Sequence, residues 1–322
     1  MGVLDGKGER TVRWTTVAIG AAAGTVAAGH ALLRAEVRRW KAEPITLPGD
    51  LSHHLVPVSD GGTIHAVERG DGPPLVLVHG VTLGAAVWAP QLRGLAGSHR
   101  VIAIDQRGHG ESLAGEGGYS FERLADDLLE VLEALHVNGA VLVGHSMGGM
   151  VSQLLAVRRP DELRRHVGRL VLVATAAGPV VPGPLAALLA MGGGRGLSWA
   201  GRHERGIFPG EDLGVLVTRM AFGAHPTPGD LELTRSMIAA MSPSAMSGLL
   251  GPLLSFDVLR RLGGVDLPTT VVVGTRDNLT PPRMARTMAA AIRGAELVVI
   301  PGCGHMVMLE RADELCELLR RG

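Results

Sequence analysis

Aromatic residues are scarce in this 322-residue chain: four Phe, four Trp and one Tyr, 3% of the whole. Its core must therefore be built from Val, Leu, Ala and Met, and an apolar content of 46% is ample for one and argues against disorder. Cysteine is almost absent. Cys303 and Cys316 are the two present, and neither lies in a CxxC pair or a Cys/His cluster. Neither a zinc site nor a disulfide framework is expected from that spacing, and no metal or cofactor is. An excess of charge is missing too: 31 basic residues face 31 acidic ones, with no long basic run. A nucleic-acid partner needs a basic footprint, so none is expected.

Long hydrophobic runs are also few, and the exception is N-terminal. Residues 15–33 read TTVAIGAAAGTVAAGHALL without a charge. As a helix this run reaches about 28 Å, near the hydrocarbon thickness of a bilayer. Trp14 and Trp40 flank it, with Lys7, Arg10 and Arg13 before and Arg34, Arg38, Arg39 and Lys41 after. Gly20 and Gly24 form a GxxxG helix-packing pattern. Its hydrophobicity is weak, being mostly Ala, Gly and Thr. Three readings stand: an uncleaved membrane anchor, a signal peptide cleaved near Ala27 and Gly29, and an amphiphilic helix that stays in water. The basic cluster downstream would hinder export and favours the anchor. Localisation is accordingly expected at a membrane, with secreted and cytoplasmic forms as the alternatives.

From Pro44 onward the pattern changes. HHLVPVSDGGTIHAVERG (53–70) alternates around Asp-Gly-Gly and predicts a hairpin. Short continuous apolar runs follow at 75–80, 100–105, 140–146, 169–175, 269–275 and 295–301. Such runs, rich in Val and Ile, predict strands buried on both faces of a parallel sheet. Helical patterns lie between them, among them SFERLADDLLEVLEALHV with Ser120 as N-cap, MGGMVSQLLAVRRP, PPRMARTMAAAIRG and the terminal MVMLERADELCELLRR. The fold class is therefore α/β, a mostly parallel sheet flanked by helices, whose ligands bind at the carboxyl ends of its strands. Three segments are expected: an N-terminal hydrophobic helix at 1–45, a core at 46–176 and 257–322, and a helical cap insertion at 177–256. The insertion holds Met191, Met220, Met237, Met241 and Met246. These flexible thioethers either line an adaptable apolar pocket or pack the insertion on the sheet.

The stretch AVLVGHSMGGMVSQLL places Ser146 where a strand ends and a helix begins. That context makes Gly-x-Ser-x-Gly specific, because a sharp strand-to-helix turn needs small neighbours and lifts the hydroxyl to the sheet's carboxyl edge. A serine needs a base to take its proton. His305 follows the last strand and Asp277 the strand before it, so Ser, Asp and His come in chain order, each at a strand end. Other histidines have weaker claims. His79 and His109 are expected to organise backbone in loops at the same edge, and His145 fills the variable position beside the serine. His53, His54, His65, His136, His166, His203 and His225 have no motif around them. Asp105 ends a strand but runs into a glycine-rich turn.

HGVTLGAAVW (79–88), DQRGHGES (105–112), GHSMGG (144–149), GTRDNLTPP (274–282) and GCGHMVMLE (302–310), in this order, resemble the motif set of the α/β-hydrolase superfamily, in its lipase, esterase, haloperoxidase-like and carbon–carbon hydrolase branch. The resemblance runs from about Val56 to the C-terminus. It implies the α/β-hydrolase fold, with Ser146 as nucleophile, His305 as base, Asp277 as its orienting acid, and the backbone N–H groups of Val81 and Met147 as the oxyanion hole. Epoxide hydrolases and haloalkane dehalogenases carry Asp where this chain has Ser146, and hormone-sensitive-type esterases carry HGGG where it has HGVT. The expected activity is hydrolysis of a small-molecule carboxylic ester, with a lipophilic acyl group, through an acyl-enzyme. Acyl transfer, thioester or carbon–carbon cleavage, or perhydrolysis by the same triad is the alternative. A non-catalytic binding protein on this fold is the reading from a different class.

Overall fold

The computed structural model describes residues 45–180, 218–224 and 226–321. The expected N-terminal helix at 15–33 and residues 181–217 of the expected insertion lie outside the described residues.

The hairpin comes first: β1 (Ser52–Pro57) and β2 (Thr63–Arg69) pair antiparallel. Its turn contains Asp-Gly-Gly, with Gly61 at φ +83°, in the left-handed region that favours glycine. The remaining strands are β3 (Pro74–Val78), β4 (Arg100–Ile104), β5 (Ala140–His145), β6 (Val167–Val173), β7 (Thr269–Gly274) and β8 (Glu296–Ile300). They form one eight-stranded sheet in the order β1-β2-β4-β3-β5-β6-β7-β8, antiparallel as far as β4 and parallel beyond it.

The continuous apolar runs have the cause expected of them. Alternate residues of each strand enter opposite cores. Val76, Val78, Leu142 and Leu172 pack on one face, while Leu75, Leu77, Val143 and Val173 pack on the other. The first face is covered by α2 (Phe121–Ala134) and α3 (Met147–Arg158), with α4 (Pro160–His166) and α7 (Pro282–Ala291). The second is covered by α1 (Ala89–Leu95) and α9 (Ala312–Arg320). The Ser120 hydroxyl caps α2 by accepting from the Arg123 N–H, and Leu124, Leu128 and Leu132 turn inward at helical spacing. Burying each such leucine contributes about 1.5–3 kcal/mol.

Two expectations are corrected. β8 is not buried on both faces: Glu296 is exposed and Leu297, Val298 and Val299 are half-buried, because β8 is an edge strand with a neighbour on one side. The terminal helical pattern is two helices, α8 (Val307–Glu310) and α9, separated at Arg311, where φ is −137°.

Within the described part of the expected insertion lie α5 (Pro228–Ala240) and α6 (Pro243–Ser255). Thr227 and Asp230 cap α5 reciprocally, and Ser242 caps α6. Met241, Ala245 and Leu249 join the first core and Leu231 the second. Among the described residues, no single helix is long and apolar enough to cross a membrane.

One buried charge braces the edge of the sheet nearest the hairpin. Arg107 is fully buried and bridges Asp60 of the hairpin turn at 2.8 and 2.9 Å and Asp127 of α2 at 2.7 and 2.8 Å. The guanidinium holds the Asp60 carboxyl well below the usual carboxylate range. This double fork fixes the loop that follows β4, and with it Asp105.

Candidate functional site

Ser146 sits between β5 and α3 with φ 51° and ψ −118°, a left-handed conformation costly for any residue with a Cβ. The surroundings enforce it. A Cβ on Gly148 would stand 2.3 Å from the Val78 carbonyl oxygen, and one on Gly144 2.6 Å from the Gly149 Cα. Only glycine lets α3 start this close to β3. The Ser146 N–H donates to the Val173 carbonyl at 3.0 Å, and its own carbonyl accepts from the Thr175 hydroxyl at 2.6 Å. The serine backbone is thereby held at the carboxyl edge while its side chain tops the helix.

The loops after β7 and β8 bring Asp277 and His305 together. His305 Nδ1 lies 2.9 Å from Asp277 Oδ2, and both side chains are buried. A carboxylate only accepts, so Nδ1 carries the proton and Nε2 of the neutral ring keeps the lone pair a base needs. The other acceptor positions of Asp277 are filled as well. Oδ1 accepts from the N–H groups of Leu279 at 2.9 Å and Thr280 at 2.8 Å, and Oδ2 from the Thr280 hydroxyl at 2.8 Å. Burial alone would raise this carboxyl, but the His305 ring and these donors pull it below its ordinary value.

The His305 loop is tied to the serine turn. The ring of His145, the residue before Ser146, donates from Nε2 to the His305 carbonyl at 3.0 Å, and the two rings stand 4.7 Å apart. Burial pushes His145 well below the usual imidazole value, so it is a neutral fixture there. From the other side Glu310 accepts from the N–H of Gly304 at 2.9 Å and of Gly223 at 2.8 Å. The break between α8 and α9 falls just after this residue.

Met147 is the first residue of α3, where a backbone N–H has no acceptor within the helix. Val81 lies in the loop after β3. That loop packs directly on the nucleophile position: a Cβ on Gly80 would come within 3.0 Å of Ser146 Cβ. Two neutral histidines shape the loop. His79 donates from Nδ1 to the Gly80 carbonyl at 2.7 Å and accepts at Nε2 from the Gln106 N–H at 2.9 Å. His109 accepts at Nε2 from the Thr82 N–H at 3.2 Å, and burial holds it down to about 3.

The structure thus sets Ser146, Val81, Met147, Asp277 and His305 at the carboxyl edge, with the His305 loop tied to the serine turn through His145. Among the described residues, His305–Asp277 is the one hydrogen bond between side chains of this set. Cys303 is buried and its thiol is pushed up by that burial, which leaves it inert beside them. Thr280, His145 and Glu310 were not singled out from the sequence for these contacts. The spacing Asp-Asn-Leu-Thr at 277–280 was a signal for the first, since a Thr three residues after an Asp can return to its carboxylate.

Comparison with known proteins bears on the fold and the family. The family described as "alpha/beta hydrolase fold" matches residues 73–312, more than half of the chain. A 2-hydroxymuconate semialdehyde hydrolase of Pseudomonas sp. is 30% identical over 259 residues, 78% of this chain and 87% of that protein. The non-heme chloroperoxidase CPO-A1 of Kitasatospora aureofaciens is 30% identical over 282 residues, 79% of this chain and 93% of that one. Among solved structures, a thermophilic esterase from Thermogutta terrifontis superposes with a TM-score of 0.70 at 28% identity, over 84% of this chain and 97% of that one.

Proposed function

Given that this chain belongs to the alpha/beta hydrolase family and is a hydrolase of that fold, we propose that it cleaves small carboxylic esters with a lipophilic acyl group through an acyl-serine intermediate. The observation that carries the reading is the strained Ser146 turn beside a buried His305–Asp277 pair at 2.9 Å. The esterase likeness adds support at the level of reaction class.

In this reaction Ser146 Oγ attacks the ester carbonyl carbon while His305 Nε2 takes the hydroxyl proton. The carbonyl electron pair moves to oxygen, and the oxyanion is held by the N–H groups of Met147 and Val81, each contributing about 3 kcal/mol. Collapse expels the alcohol, which receives the proton from His305. Water then repeats the sequence on the acyl-enzyme and releases the acid. Asp277 stays ionised throughout and keeps the imidazole in its Nδ1–H tautomer. The lipophilic preference rests on the Met- and Leu-rich insertion and on a membrane position through residues 15–33, which belongs to the same proposal.

A p-nitrophenyl ester series from acetate to palmitate tests the proposal, with Ser146→Ala alongside. Wild-type turnover that falls by roughly 10⁶ in the variant is the expected result, with the preferred chain length sizing the acyl pocket. No turnover at any length, in a protein whose Ser146 also resists a fluorophosphonate, overturns it in favour of a binding role. The 2-hydroxymuconate semialdehyde hydrolase and the chloroperoxidase among the relatives favour a second reading, the same triad acting on another bond or with another acceptor. Labelled Ser146 without ester turnover selects that reading, and product analysis with competing alcohol, thiol or peroxide identifies the acceptor.

A further inference from the structure

Away from Ser146, a second group of polar side chains gathers where the hairpin meets the loop after β4. We propose that His53, His65 and Glu111 form a zinc site there, with Asp105 holding its central ligand from behind. One ligand atom from each of the three residues lies within 4.8 Å of the other two. His53 Nδ1 and His65 Nε2 are only 3.0 Å apart. Tetrahedral ligands about 2.0–2.1 Å from zinc stand about 3.3 Å from one another, so these two nitrogens need little movement to share the ion. Glu111 is exposed and free to swing a carboxylate oxygen to the third position, leaving water for the fourth.

The setting of His65 separates this from a chance pair of rings. Its Nδ1 lies 2.8 Å from Asp105 Oδ2, which fixes the proton on Nδ1 and leaves the Nε2 lone pair facing His53. A carboxylate behind a histidine is the arrangement that orients imidazole toward a metal and raises its basicity. Asp105 is itself held, accepting from the N–H of Ala85 at 2.6 Å and of Glu111 at 3.2 Å. The His65 backbone N–H donates to the Ser112 hydroxyl at 2.8 Å. His65 is therefore buried and rigid, whereas His53 and Glu111 are exposed and give an ion a way in. The ligands face a cavity of about 210 Å³ lined also by Leu47, Leu83 and Met237. Neither Ser146, Asp277 nor His305 lines that cavity. Imidazole with carboxylate suits zinc, and the charges of Glu111 and Asp105 match a divalent ion.

The test is calorimetric titration of the metal-free full-length protein with ZnCl₂, repeated with CoCl₂ while its visible absorption is followed. The variants are His53→Ala and Glu111→Gln, both at exposed positions that leave the core intact. The expected result is saturable binding of one equivalent in the wild type, lost in His53→Ala and weakened at least about tenfold in Glu111→Gln. Cobalt should then show the intense visible bands of a tetrahedral site in the wild type and not in His53→Ala. Absence of saturable binding in the wild type overturns the proposal and leaves His53 and His65 as a hydrogen-bonded pair. Undiminished binding in both variants overturns it equally, because the chain's other histidines would then hold the ion.

Discussion

His305 meets Asp277 at 2.9 Å and His65 meets Asp105 at 2.8 Å, in both cases through Nδ1 and Oδ2, and all four side chains are buried. In both, burial would raise the aspartate, and the histidine with surrounding N–H donors brings it below its ordinary value instead. The pairs differ in what surrounds them. His305 is joined through its carbonyl to His145, the neighbour of Ser146, while His65 presents Nε2 to a second imidazole. Asp277 accepts from its own loop, at Leu279 and Thr280. Asp105 instead accepts from the Ala85 and Glu111 backbone, and so shapes the segment that follows Val81. A buried His–Asp pair is thus a way to aim one imidazole nitrogen, and the chemistry depends on what that nitrogen can reach.

The largest effect expected comes from giving both pairs the same substitution. Asp277→Asn should lower kcat by about 10⁴, because the wrong imidazole tautomer is then favoured. Asp105→Asn should lower kcat far less than Asp277→Asn does, and lower stability by about 1–3 kcal/mol, the loss of a charge-assisted hydrogen bond in a buried network. Steady-state kinetics and denaturant unfolding on both variants decide it. Equal loss of turnover in the two would erase the distinction between them.

Acid sharpens the comparison further. The folded-state pKa of Asp277 lies below its ordinary 3.8, so the unfolded chain binds its proton first as pH falls. The carboxylate therefore contributes stability that is fully present above that value and disappears as pH drops through the lower folded value. The stability difference between wild type and Asp277→Asn should shrink on acidification below 3.8. Urea unfolding at stepped pH measures it, and a constant difference down to pH about 2 would show that Asp277 does not titrate in the native state as described.

Much of this was readable in advance, and the exceptions have physical causes. The run at 295–301 looks like any central strand, since an apolar run reports side chains and not whether a neighbour lies on each side. Ser146, Asp277 and His305 could be placed together because each ends a predicted strand, which puts all three on one edge before any distance is known. His53 and His65 offered no such rule. They are 12 residues apart, and the hairpin register sets His53 opposite Val67 and His65 opposite Leu55, diagonal neighbours on one face. Glu111 arrives from a loop 46 residues beyond His65, a meeting that depends on the β2–β4 pairing. Side chains that act through register or through loop hydrogen bonds leave a weaker mark than those that end strands.

Thr280 is the smallest of these marks and tests the first pair from within. Its hydroxyl lies 2.8 Å from Asp277 Oδ2 and 3.3 Å from His305 Nδ1, so it donates to the oxygen that also accepts the imidazole N–H. Removing it leaves Asp277 ionised but less firmly placed, and shifts its charge toward His305. Thr280→Val keeps the volume and deletes the donor, at a cost of about 1.5 kcal/mol for a hydrogen bond to a charged group. Expressed in the transition state, that is roughly a tenfold fall in kcat with KM unchanged. Thr280→Ser should restore most of the rate, because the hydroxyl returns without the methyl group. If the valine variant instead loses KM and stability together while serine fails to rescue it, the side chain only packs the loop, and Asp277 is positioned by the backbone N–H groups of Leu279 and Thr280.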